Sequence, residues 1–179
     1  MQRRKFVIGM GALASGTAAA IGTGAFSSVS ANRDIDVEVA DDASAYLRLE
    51  GTGGDNADYV TDDGNDGTLT IDLSPSNDGV AGGGEGVNPD AVTQIGNLFD
   101  IENQGTQEVD VTVAKHGDNA DLVAFYPDGE AYDGDSLTDS AVTLGAGEST
   151  TICLEIDTED SGLGDGDELL DSVTFSATA

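Results

Sequence analysis

Two residue types suited to nucleophilic or acid–base chemistry near neutral pH occur once each, as His116 and Cys153. A single histidine cannot build a His-rich zinc site. It follows Lys115 at the end of a strand pattern and reads as an exposed turn residue rather than a catalytic base. Cys153 has no partner for an intramolecular disulfide. It lies in Thr151-Ile152-Cys153-Leu154-Glu155, an apolar-rich strand pattern, and reads as a buried, inert thiol.

Carboxylates are the abundant chemistry, 35 of 179 residues. Oxygen-rich turns such as Asp62-Asp63-Gly64-Asn65-Asp66-Gly67, Asp133-Gly134-Asp135 and Asp165-Gly166-Asp167-Glu168 could hold Ca²⁺ through carboxylates and carbonyls. The first fails EF-hand spacing, because Gly64 falls where an oxygen ligand is needed and no Glu closes the loop. In so acidic a chain such clusters arise by chance, so Asp62, Asp63, Asp66, Asp165 and Asp167 are weak calcium candidates, and no other cofactor is indicated. A glycosidase needs two carboxylates at a set separation, which sequence does not reveal. Nine aromatics and no Trp leave little to stack a sugar, and the expectation is that the chain is not an enzyme.

The first thirty-one residues organise the rest. Arg3, Arg4 and Lys5 are followed by no charged residue from Phe6 to Val29, and every acidic residue lies at or beyond Asp34. This is the pattern of an export signal: basic start, apolar stretch, small residues near a cleavage point. Arg3-Arg4-Lys5-Phe6-Val7 matches a twin-arginine signal, so Arg3, Arg4 and Phe6 are its expected determinants. Two cleavage points compete, after Gly24 and after Ala31. The expected organisation is a signal over 1–24, extending as late as 31, and one domain over 25–179. No stable membrane span remains after cleavage.

Beyond the signal, three basic residues (Arg33, Arg48 and Lys115) against 35 acidic ones leave a net charge of −32. The acids are spread over loops and strand faces rather than clustered. That distribution suits very high salt, where screening removes the self-repulsion of a compact acidic chain. With no basic patch, nucleic acid is an improbable partner.

Apolar alternation supplies the elements. Strands are expected at 33–40 (Ile35, Val37 and Val39 on one face), 45–50, 68–73, 121–126, 150–156 and 172–177. Asn97–Asn103 and Gln107–Ala114 flank Gln104-Gly105-Thr106 and read as a hairpin. Asn88-Pro89-Asp90 looks like a helix start, with one or two turns over 91–95. Eight or nine short strands with Gly/Asp turns and one short helix predict an all-β fold, an antiparallel β-sandwich of jelly-roll or Ig-like kind.

The signal end Gly22-Thr23-Gly24-Ala25-Phe26-Ser27, then NLFDIENQGTQEVDVTV, LGAGESTTICLEID and a terminal strand, resemble the camelysin/TasA-type family and related haloarchaeal secreted proteins. The resemblance implies a jelly-roll-like sandwich, cleavage before Ala25, and membership of a group in which several proteins form biofilm-matrix fibres. In those, an N-terminal arm completes a neighbour's sheet. Here that arm would carry Phe26 and Val29. The expected function is a secreted structural or adhesive surface protein whose partner is itself, as a filament. The alternative is a monomeric secreted module that binds cations or carbohydrate.

Overall fold

The computed structural model describes residues 33, 35, 37–61, 67–82, 84–127, 132 and 134–179. The chain divides into two units, Met1–Val37 and Glu38–Ala179. Of the first, only Arg33, Ile35 and Val37 are described. The expected signal residues Arg3, Arg4 and Phe6, and the arm residues Phe26 and Val29, lie outside the described residues.

The described residues of the second unit form nine strands: β1 (Leu47–Gly51), β2 (Val60–Thr61), β3 (Thr70–Ile71), β4 (Val92–Asn103), β5 (Val109–His116), β6 (Val123–Pro127), β7 (Val142–Leu144), β8 (Ser149–Asp157) and β9 (Ser172–Thr178). All pairings are antiparallel. One sheet has the order β1-β4-β8-β6, a second β7-β5-β9, and β2 pairs β3 in a small third. The two larger sheets face each other across one core, which is the expected antiparallel sandwich.

Alternation places the core. Opposed residues in an antiparallel ladder share a face. Leu49 opposite Ile101, Phe99 opposite Ile152 and Phe125 opposite Leu154 therefore put the apolar half of the first sheet inward. Val111, Val113 and Phe175 answer from the second sheet. Phe175 meets Phe99 edge-on at 5.6 Å and Phe125 edge-on at 5.9 Å, joining the layers through one ring.

Three expectations are overturned. The stretch 88–95 is no helix: Val92–Ile95 opens β4 and pairs with Asp157 back to Leu154 of β8. Asp90 sits at φ 55, which stops a helix at its first turn, and β-branched Val92, Thr93 and Ile95 prefer the extended chain. The hydroxyl of buried Thr158 accepts the Ala91 N–H, fixing the entry to β4.

The expected 97–103/107–114 hairpin is also absent. β4 is flanked over Phe99–Glu102 by β1 on one side and β8 on the other, so no edge is left for β5. Residues 104–108 instead carry the chain across to the opposite sheet.

Finally, none of the described residues in 33–40 is in a strand, and Ile35, Val37 and Val39 are 81, 85 and 102% exposed. Alternation there supplies a strand-competent sequence, but the described apolar side chains meet no buried face that would hold it in a sheet.

Candidate functional site

The crossover is built around Asn103. Its side chain, on a residue 2% exposed, donates from Nδ2 to the Gln107 carbonyl at 2.7 Å and the Leu144 carbonyl at 2.9 Å. Oδ1 accepts the Gly105 N–H at 2.9 Å, closing a turn. Its backbone N–H donates to the Glu148 carbonyl, and its carbonyl accepts from Gly147. Every polar group of a buried residue is thus used. The return crossover over Gly145–Glu148, from β7 to β8, is closed by the Gly145 N–H on the Glu148 carboxylate at 2.7 Å. Two sheet-to-sheet crossovers lock together at one end of the sandwich.

In β4 a bulge lies between Ile95 and Phe99, with Asn97 at φ 51. The Thr52 hydroxyl donates to the Asn97 carbonyl at 2.7 Å, and the Asn56 amide donates to the Gly96 carbonyl. Beside it lies a cavity of about 120 Å³ lined by Tyr59, Leu73, Val80, Val87 and Ile95 among others. That is small against the roughly 300–1,000 Å³ typical of ligand pockets.

The outer faces of the two sheets differ in chemistry. That of the first is charged. Arg48 pairs with Glu50 and Glu102, the Thr151 hydroxyl donates to Asp100 at 2.6 Å, and the Gln94 amide to Glu155 at 2.6 Å. Burial pushes the Tyr126 phenol up from its ordinary value, and the charge of Glu155 adds to the effect. That of the second sheet is a field of hydroxyls. Ser172, Thr174, Ser176 and Thr178 of β9 stand beside Thr112 and Ala114 of β5, with Asp110 and His116 at its ends.

Lys115 faces the opposite way, toward the core side of β5 across from Val173. Its ammonium donates to the Val123 carbonyl of β6. Burial draws its pKa below the ordinary lysine value, while Asp121 and Asp139 pull it back up. Asp72 is held below the usual carboxylate range by the hydroxyl and N–H of Ser74.

Of the expected calcium candidates, Asp62, Asp63 and Asp66 lie outside the described residues. Asp167 accepts the Gly164 N–H at 2.9 Å and so closes its own turn, while Asp165 is exposed. Among the described residues no three His, Cys, Asp or Glu side chains gather to hold a metal ion. Cys153 is fully buried and unpaired in a disulfide, as expected. His116 is exposed at the end of β5, its Nε2 3.5 Å from the Thr174 hydroxyl. Among the described residues no helix is long and apolar enough to cross a membrane.

Sequence reasoning missed Asn103 and the inward Lys115. Both carried a signal: each sits on the inward parity of its strand, Asn103 after Phe99 and Ile101, Lys115 after Val111 and Val113. A polar residue in an apolar phase has to find partners inside.

No curated protein matches the chain. Residues 55–179, which hold all the strands except β1, match the family described as protein of unknown function (DUF1102), and the chain belongs to that family.

Proposed function

We propose that the chain is a secreted, salt-adapted structural protein of the cell surface or extracellular matrix, whose N-terminal segment adds a strand to a neighbouring copy. The observation that carries this reading is the exposure of Ile35, Val37 and Val39, three alternating apolar side chains with no described strand around them. Period-two alternation with exposed apolar side chains is what an added strand requires: main-chain hydrogen bonds supply affinity and alternate side chains fill pockets. A head-to-tail contact of this kind does not close on itself and propagates as a filament. The resemblance to the camelysin/TasA-type family supports the same reading, as does a signal pattern ahead of Ala25 that would leave Phe26 and Val29 on the arm. The acidic outer face of the first sheet fits molar salt, where charged copies approach at low cost.

The test is electron microscopy and sedimentation of the protein recovered from culture medium, in molar salt, with and without residues 25–31. Filaments that vanish on deletion, while the monomer still folds, are expected. Monomers alone from the chain beginning at Ala25, or a mature terminus at Asn32, refute it.

A further inference from the structure

We propose that β9 is the contact by which two copies of this chain associate edge to edge about a two-fold axis. β9 pairs with β5 on one side, and no strand flanks its other side among the described residues. Free sheet edges invite pairing, and proteins blunt them with charge, proline or shortness. The other edges of the two large sheets are blunted in these ways. β7 has three residues. β6 ends in Pro127, and its Phe125 carbonyl accepts the Leu137 N–H at 2.8 Å. β1 carries Arg48 and Glu50 and ends in Gly51. β9 reads Ser-Val-Thr-Phe-Ser-Ala-Thr, seven residues with no charge, Pro or Gly.

The core is also unfinished at this edge. Phe99 and Phe125 are 0 and 1% exposed, yet Phe175, edge-on to both, is only half-buried, and Ala177 is exposed. A strand laid beside β9 covers that ring.

The occupant that fits is a second β9. Antiparallel pairing centred on Phe175 sets the two Phe175 rings side by side on the core face. On the outer face it sets Thr174 against Ser176 and Ser172 against Thr178. Cross-strand aromatic and hydroxyl pairs of this kind stabilise a ladder. Every outward pair is neutral, which matters between secreted copies that each carry 3 basic against 35 acidic residues beyond the signal, a net charge of −32. Segment 34–39, by contrast, would bring Asp34, Asp36 and Glu38. The product is a closed dimer with a continuous six-stranded sheet, unlike the open contact of strand donation.

The test uses the full secreted chain in molar salt and two double variants, T174D/S176D and T174K/S176K. All four substitutions lie on exposed side chains. Sedimentation velocity gives the association constant, and amide exchange over 172–178 at rising protein concentration locates the contact. The wild type is expected to dimerise with slowed exchange in β9. Each variant alone is expected to pair about tenfold more weakly, with its thermal midpoint unchanged. The two variants mixed in equal amounts are expected to recover pairing, because each introduced carboxylate then faces an introduced ammonium. A wild type whose β9 exchange ignores concentration, variants that pair as well as wild type, or a mixture that fails to recover would each overturn the proposal. The last outcome would assign the edge to a different partner strand. Loss of filaments on deleting residues 25–31 reads the donated segment separately.

Discussion

The side-chain amide of Asn103 donates to the carbonyl of Leu144 at 2.9 Å, joining the last residue of β4 to the last residue of β7 in the facing sheet. Asn103→Ala therefore leaves the carbonyls of Leu144 and Gln107 and the Gly105 N–H without their partner. A buried unsatisfied group costs about 1–3 kcal/mol, so a loss of about 3 kcal/mol is expected in denaturant unfolding at molar salt. Asn103→Asp is expected to be no better, since a carboxylate cannot donate to two carbonyls.

Gly117 follows β5 at φ +145, and a Cβ there would stand 3.0 Å from the backbone of Asp171, Leu169 and Leu170. Backbone atoms cannot rotate away as a side chain can. Gly117→Ala is expected to lower stability by roughly 1–3 kcal/mol, read from the same unfolding curves. An unchanged midpoint would mean that the 169–171 segment moves freely.

Burial lowers the Lys115 pKa in the folded chain, so between that value and the unfolded 10.5 the unfolded state binds the proton more. Stability from this group therefore rises with pH through that window. The difference in unfolding free energy between wild type and Lys115→Met is expected to shift toward wild type as pH climbs to 10.5. The raised pKa of Tyr126 acts in both proteins and cancels in the comparison. A gap that stays flat with pH contradicts the burial of the ammonium.

A net charge of −29, and −32 beyond the signal (3 basic against 35 acidic residues), is held in one small sandwich. The Debye length falls from about 30 Å at 0.01 M salt to about 3 Å at 1 M. The thermal midpoint is expected to rise steeply with KCl over that range. A midpoint indifferent to salt would remove the argument for salt adaptation.

Export is expected to depend on the paired arginines. Replacing Arg3 and Arg4 with Lys keeps the charge but removes the twin-arginine pattern. Protein retained in the cells is the expected result, by immunoblot of medium against cell pellet. Continued secretion would point to the general pathway.

Several strands were legible from alternation under a buried face: Leu47 and Leu49, Ile152 to Ile156, Val173 and Phe175 all point as their spacing says, while β7 and the opening of β4 were not. Partners were not legible. Gln104-Gly105-Thr106 has the composition of a hairpin turn, and nothing local distinguishes that from a crossover. The difference lies in β1 and β8, which occupy both sides of β4 from elsewhere in the chain. Asn88-Pro89 misled in the same way, because its local preference for a helix start was overridden by pairing with β8. The neutral character of β9 was visible in its letters, but its place at an edge was not.

The paired crossovers also bear on how the molecule reaches its fold. Asn103 and Leu144 are 41 residues apart, and the contact needs β4, β5 and β7 placed before it forms. Neither crossover is complete alone, since Gly147 and Glu148 of one bond the backbone of Asn103 in the other. Chain loops must close before these bonds repay the entropy, which puts such a topology in the slow, millisecond-to-second class of folding. During that interval an uncharged β9 has no partner strand and stands open to pairing with other copies until β5 is there to receive it.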